Sequence, residues 1–247
     1  MKVRVFDTSD EMGLAAAKLF AERIRSKPDI VLGLATGSTP VKMYDALVRV
    51  AEEDDLDLSR VVTFNLDEYI GLRADHDQSY RYFMNEHLFD KISIPKENTH
   101  VPDGMASDLE AMCAAYEEAI EEAGGIDLQL LGIGGNGHIA FNEPGSGADS
   151  RTRVVDLTSE TIRDNSRFFQ DESEVPRQAV TMGIASIMEA QEIVLIADGA
   201  HKADAVAKAV EGDISSAVPV SFLQKHPNCI FLLEREAASR LSPGVLE

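Results

Sequence analysis

The segment IVLGLATGSTPVKMYDALVRVAEE, residues 30–53, holds a strand, a turn and a helix in the order that builds a parallel sheet. Ile30–Leu34 is a short unbroken apolar run, as expected for a strand buried on both faces. Val41–Glu53 has helical spacing. Between them, in Ala35-Thr36-Gly37-Ser38-Thr39-Pro40, Gly37 permits a tight turn and Pro40 suits a first helical position. The same alternation continues outward. Apolar runs predict strands at Val3–Phe6, Val61–Asn65, Leu128–Ile133, Glu192–Ala197 and Cys229–Leu233. A helix capped by Ser9 or Asp10 is expected to run to about Arg25, with Leu14, Ala17, Leu19, Phe20 and Ile24 on its apolar side and Pro28 ending it. Further helices are expected at Ser79–Phe89, Asp108–Ala123, Ile184–Ala190 and Ala200–Val210. This reads as an α/β fold, a mostly parallel sheet with helices on both faces. Ligands of such sheets bind at the carboxyl ends of the strands.

The chain has 247 residues, 44% of them apolar, which suits one core and a single domain over residues 1–247. No linker or fixed-period repeat divides it. The formal net charge of −20 repels nucleic acid and anionic membranes. A phosphorylated ligand would need a local positive spot in that field. The two cysteines, Cys113 and Cys229, lie far apart, which argues against a disulfide framework or a cysteine zinc site. The N-terminal stretch lacks the apolar core of a signal peptide, and no apolar run is long enough to span a bilayer. A soluble, cytoplasmic protein is expected.

Three strand exits carry unusual residues. Residues 35–40 offer backbone N–H groups and hydroxyls at a helix N-terminus, a good place for an anion. The loop is neither a Walker A loop nor a dinucleotide fingerprint, and on its own it is equally well an ordinary capped turn. In Phe64-Asn65-Leu66-Asp67-Glu68-Tyr69, two adjacent carboxylates follow an apolar strand. If the chain stays extended they point in different directions and have separate roles. By spacing alone a solvated loop is the plainer reading. Residues 131–145, LGIGGNGHIAFNEPG, crowd glycines around His138, with Asn136 and Glu143 nearby. Such a histidine at a strand exit is a candidate acid–base group. The spacing is not that of a zinc protease.

Taken together and in order, these loops resemble the glucosamine-6-phosphate deaminase/isomerase family. The matching text is LGLATGSTPVKMYDAL, VVTFNLDEYIGL, DQSYRYFMNEHLFD, LLGIGGNGHIAFNEPGS, SRTRVV and NSRFF, spread over nearly the whole chain. The resemblance implies a Rossmann-like fold. It also implies conversion of glucosamine 6-phosphate and water to fructose 6-phosphate and ammonia in amino-sugar metabolism, with no metal and no cofactor. Carried over residue by residue, it makes Asp67 the base that moves a proton from carbon 2 to carbon 1, and His138 the group that opens the sugar ring. Glu143 and Asn136 orient the histidine. Gly37, Ser38 and Thr39 form the phosphate loop, and Arg167 and Lys202 are its cations. The chemistry fits these types: a proton beside an imine or carbonyl is removed by a shielded carboxylate, and no hydride moves.

Two departures stand out. Asn136 occupies a position where some members carry Asp. Members activated by N-acetylglucosamine 6-phosphate use basic residues after the S-R-T-R stretch. Arg153 and Ser146 match that pattern, but Val155 falls where those members have lysine. A weakly allosteric monomer or small homo-oligomer is therefore expected. Residues from about 157 to 176, with Arg167 inside, are read as a lid; an exposed helix–loop is the alternative. A 6-phosphogluconolactonase, a galactosamine 6-phosphate preference and a sugar-phosphate sensor are the other readings. The acidic charge and the lack of a DNA-binding module count against the sensor.

Overall fold

The computed structural model describes residues 1–166, 169, 171 and 174–245. The strands are β1 Lys2–Phe6, β2 Val31–Leu34, β3 Val62–Asn65, β4 Asp67–Tyr69, β5 Thr99–His100, β6 Leu128–Leu131, β7 Arg153–Asp156, β8 Gln178–Thr181, β9 Glu192–Ala197 and β10 Cys229–Glu234. The helices are α1 Ser9–Ser26, α2 Ser38–Glu53, α3 Tyr80–Met84, α4 Leu109–Glu122, α5 Ser159–Ser166, α6 Ile184–Met188 and α7 Ala203–Glu211. Seven strands form one sheet in the order β1-β10-β9-β6-β2-β3-β5. Every pairing in it is parallel. The central strands β2 and β6 are buried along their whole length, Gln129 of β6 included, as expected for mid-sheet parallel strands. Among the described residues, no helix is long and apolar enough to cross a membrane.

The strand order contains one reversal. From β2 the chain moves outward through β3 to β5, then returns to lay β6 on the other side of β2 and proceeds to β9 and β10. The carboxyl ends of β2 and β6 therefore flank the topological switch point, where the connecting loops diverge and leave a crevice.

Helix α1 corrects two details of the sequence reading. Thr8, not Ser9 or Asp10, caps it, in a capping box with Glu11. Its buried stripe is Met12, Ala16, Ala17, Phe20, Ala21 and Ile24, whereas Leu14 faces solvent. Pro40 is the third residue of α2, not the first, because the helix already starts at Ser38. The expected helix at 79–89 is capped by Ser79 and is α-helical only to Met84; a π turn follows over Asn85–Phe89. Residues Ala200–Lys202 form a 3-10 turn before α7.

A second sheet, β4-β8-β7, is antiparallel. It turns the expected loop after β3 into a strand. Only Leu66 separates β3 from β4, and its backbone is held by both sheets: Leu66 N donates to Leu34 O at 3.2 Å, and Met182 N donates to Leu66 O at 2.7 Å. Asp67 thus sits where the chain passes from one sheet to the other.

The exit of β4 is gripped from the far side by Gly104. Gly71 N donates to Gly104 O at 3.0 Å, and a Cβ on Gly104 would lie 2.0 Å from Tyr69 O. The obstacle is backbone, so it moves only with β4. Gly104→Ala is expected to destabilise the protein by about 1–3 kcal/mol through overpacking, measured by urea unfolding. A loss below about 0.5 kcal/mol, within the range of ordinary surface substitutions, contradicts this packing account.

Candidate active site

The crevice at the switch point is a cavity of about 530 Å³. The loops after β2 (Ala35–Pro40), β6 (Gly132–Gly135) and β9 (Asp198–Lys202) form its walls, joined by Asp67, Tyr80, His138, Phe141, Thr161 and Asn165. Another concavity, of about 410 Å³, lies between α4 and β7 and is lined by none of the predicted site residues.

Asp67 is 6% exposed and Glu68 is 3% exposed, yet their surroundings differ completely. The extended backbone sends them to opposite faces. Glu68 accepts three backbone N–H bonds, from Tyr69 (2.9 Å), Tyr80 (2.9 Å) and Arg81 (3.0 Å), and so ties β4 to the start of α3. Burial still pushes its carboxyl up, against the pull of those donors. Asp67 faces the cavity. Burial, with the neighbouring Glu68 charge adding to it, pushes the Asp67 carboxyl up to about 8.

His138 stands in a tight glycine turn. Gly134 N donates to His138 O and Gly137 N to Gly134 O, each at 3.0 Å, with Gly137 at φ 88°. A Cβ on Gly134 would lie 2.1 Å from the imidazole, so glycine there makes room for the ring. Asn136 Nδ2 donates to Glu143 Oε2 at 2.8 Å, and Asn136 Oδ1 lies 2.8 Å from His138 Nδ1. A carboxylate only accepts, so Glu143 dictates which end of the amide faces it. The amide oxygen then faces Nδ1, which must carry the proton. Neutral His138 is therefore the Nδ1–H tautomer, with Nε2 as its accepting nitrogen. Glu143 is fixed in turn from α5, where Thr161 Oγ1 donates to it.

The other end of the cavity has the features of an anion site. Helix α2 has Gly37, φ 102°, at its N-cap position, with no side-chain cap and no acidic residue in its first turn. Lys202 Nζ reaches across from the β9 exit and donates to Thr39 Oγ1 at 2.6 Å. The sequence-predicted residues Gly37, Ser38, Thr39 and Lys202 thus meet on one wall, and Asp67 and His138 line the same cavity. Asn136 and Glu143 stand behind the histidine. Arg167 lies outside the described residues. From the segment read as a lid, Thr161 and Asn165 line the cavity, and Asn165 Nδ2 donates to Tyr69 Oη at 2.8 Å.

Sequence reasoning missed Asp198, Tyr80, Thr161 and Asn165. Asp198 was findable, since it directly follows β9, a strand exit like the one that leads to Asp67. The others reach the site from helices and carried no local signal. Arg153 is engaged within the fold, Nη1 donating to Asn142 Oδ1 at 3.0 Å.

A histidine held in one tautomer, a buried carboxyl and an uncapped helix N-terminus with a lysine thus surround one switch-point cavity of an α/β fold. The chain belongs to the family described as glucosamine-6-phosphate isomerases/6-phosphogluconolactonase, whose model matches residues 7–231. It is 52% identical over 239 residues to a glucosamine-6-phosphate deaminase of Thermoanaerobacter pseudethanolicus, covering 97% of this chain and 94% of that one. It is 53% identical over 240 residues to glucosamine-6-phosphate deaminase 2 of Giardia intestinalis, covering 97% and 91%. A solved monomeric glucosamine-6-phosphate deaminase superposes with a TM-score of 0.95 at 45% identity, over 97% of this chain and 99% of that one. The 6-phosphogluconolactonase of Trypanosoma brucei superposes with a TM-score of 0.74 at 25% identity, over 98% of each chain.

The Asp67 environment gives a signature in stability. The carboxyl titrates near its ordinary 3.8 when unfolded and near 8 when folded. Between those values the folded protein binds the extra proton, so this residue's contribution to stability falls as pH rises. Asp67→Asn removes that effect. The variant should gain stability relative to the parent from about pH 4 to about pH 8, by on the order of a few kcal/mol, and stay level above. Urea unfolding at about pH 5, 7 and 9 measures it; a stability difference that does not change with pH contradicts the assigned environment.

Proposed function

We propose that the chain converts glucosamine 6-phosphate and water to fructose 6-phosphate and ammonia. The observation that carries this reading is identity of about half to proteins named for that deaminase over nearly the full chain, together with Asp67 and His138 facing one cavity. Lactonase relatives share the fold at lower identity.

His138 Nε2 accepts the proton of the hydroxyl on carbon 1 and returns a proton to the ring oxygen, which opens the pyranose. The Asn136–Glu143 pair holds its tautomer through the step. Asp67 then removes the proton from carbon 2, leaving an enol-type intermediate, and delivers it to carbon 1. The product is a ketose imine at carbon 2. Water adds there and ammonia leaves, so atoms and charge balance without hydride transfer. An acid raised to about 8 has a carboxylate more basic than usual, which suits a carbon acid. The cationic nitrogen of the substrate favours the ionised form of that carboxylate as it binds. The phosphate lies on the α2 N-terminus and Lys202, with Arg167 as a further cation.

Residues from about 157 to 176, α5 among them, act as a lid. Thr161 bonds Glu143 and Asn165 bonds Tyr69, so closing this segment also sets the relay. The protein works as a monomer or small homo-oligomer, and the solved relative described as monomeric supports the smaller assembly. Val155 in place of a lysine argues against strong activation by N-acetylglucosamine 6-phosphate. Two buried thiols suit a cytoplasmic protein.

Ammonia release from glucosamine 6-phosphate is the test, run beside 6-phosphogluconolactone hydrolysis. Turnover of the amino sugar and none of the lactone is expected; the reverse pattern overturns the reading. Asp67→Asn should lower kcat by about 10²–10⁴-fold, the usual range for a lost general base. Asn136→Asp should stay active and move the acid limb of the pH–rate profile to higher pH, because an anion beside Nδ1 favours the imidazolium. An unmoved limb refutes the orienting role of Asn136.

A further inference from the structure

Asp198 is the one carboxylate on the anion wall of the cavity among the described lining residues. It follows β9 directly, and Gly199 beyond it, at φ 83°, turns the chain into the Ala200–Lys202 turn. Its Oδ1 accepts the Thr39 hydroxyl proton at 2.6 Å and lies 3.4 Å from Lys202 Nζ. Lys202 Nζ donates to the same Thr39 hydroxyl at 2.6 Å. Three groups from two strand exits thus close a small polar ring. Lys202 is largely shielded, its side chain 12% exposed, while that of Asp198 is 31% exposed.

This arrangement is poorly set for an incoming anion. A hydroxyl has one proton to give. While Thr39 gives it to Asp198 and receives a bond from Lys202, it has none for a phosphate oxygen. The lysine charge is likewise shared with a carboxylate a few ångströms away. An anion entering beside Ser38 and Thr39 must turn the Thr39 hydroxyl away from Asp198 and draw Lys202 toward itself. It also meets the Asp198 charge at short range, in a chain that already carries a net charge of −20.

We propose that Asp198 is a built-in counter-anion of this subsite: it competes with the ligand's phosphate for Thr39 and Lys202 and holds phosphate affinity down. The inference rests on reading the cavity as a sugar-phosphate site and adds a specificity device to it. A free inorganic anion gains only the weakened wall contacts. A sugar phosphate adds contacts along the rest of the cavity and so outcompetes free phosphate. The opposite role, a carboxylate that improves binding by steering Lys202 into place, predicts the reverse effect of neutralising it.

The experiment measures inorganic phosphate binding by titration calorimetry, which needs no turnover, and the KM for glucosamine 6-phosphate. Asp198→Asn keeps the size of the side chain and an oxygen for Thr39 while removing the charge. Its phosphate Kd should fall about tenfold, and KM should fall with it more than kcat changes. The gain should shrink as salt is raised from about 0.05 to 0.5 M, because the effect is electrostatic. In the Lys202→Met background the same substitution should have a much smaller effect, since the competition is for that lysine. If Asp198→Asn fails to fold, as judged by its melting transition, Asp198→Ser takes its place. Phosphate binding that is unchanged or weaker in the folded variant, or undetectable in both proteins, overturns the proposal. Absence of ammonia release would defeat the functional reading and leave the calorimetric result to decide Asp198 by itself.

Discussion

The parallel pairing of β2 with β6 is the constraint from which the rest of the molecule follows. Leu32 lies opposite Leu128 and Gly33 opposite Gln129. Because the chain has gone out through β3 and β5 before it comes back to make this pairing, the loops leaving β2 and β6 head in opposite directions. The crevice between them is a consequence of strand order. Gly33 makes the pairing sterically possible, since a Cβ there would lie 2.0 Å from Gln129 Oε1. The middle of the sheet thus has a glycine because its neighbouring strand has a buried glutamine.

Once that crevice exists, each wall supplies chemistry according to how its strand ends. β2 runs into a helix whose N-terminus no side chain caps, so backbone N–H groups and the helix dipole favour an anion there. β6 runs into a glycine turn that folds a histidine back over its own backbone. β3 does not end in a loop but hands the chain to the second sheet. That sheet is small, yet it sets the position of Asp67 opposite Thr181, and the chain leaving β7 carries Thr161 and Asn165 of α5 to the cavity. One sheet makes the crevice; the other brings a carboxylate to it.

The parts legible in the sequence were those with a long or periodic signal. Five of the six apolar runs are strands to within one residue, because strands buried on both faces are mostly apolar. The sixth, Leu128–Ile133, stopped at Leu131, where glycines already open the turn. The second sheet was not legible: β4 has three residues, two of them carboxylates, and β7 is half-buried and polar at both ends. No periodicity emerges from such short pieces, and β4 finds its partner β8 more than a hundred positions away in the chain. The same holds in the site. His138, Asn136 and Glu143 lie within eight residues of chain and could be read as a group. Thr161 and Asn165 reach the cavity from α5 and Tyr80 from α3, two helices that only the fold brings there.

Asp67 and Glu68 show how adjacent residues of the same type acquire different chemistry. Both are buried, so both carry the desolvation that disfavours the anion. Glu68 meets three backbone donors, which offset part of that effect and make it a fixed strut between β4 and α3. Among the causes raising the Asp67 carboxyl is Glu68 itself, and no hydrogen bond is among those lowering it. A residue that served stability would have been given donors, as Glu68 was. Asp67 instead keeps an acid form that is hard to ionise and an open face toward the cavity, and its neighbour makes that state more pronounced. The strand geometry alone decides which of the two carboxylates takes which role, because a one-residue slip of β4 against β8 would exchange them. The pairing of Asp67 with Thr181 is therefore as much a part of the site as the carboxyl it aims.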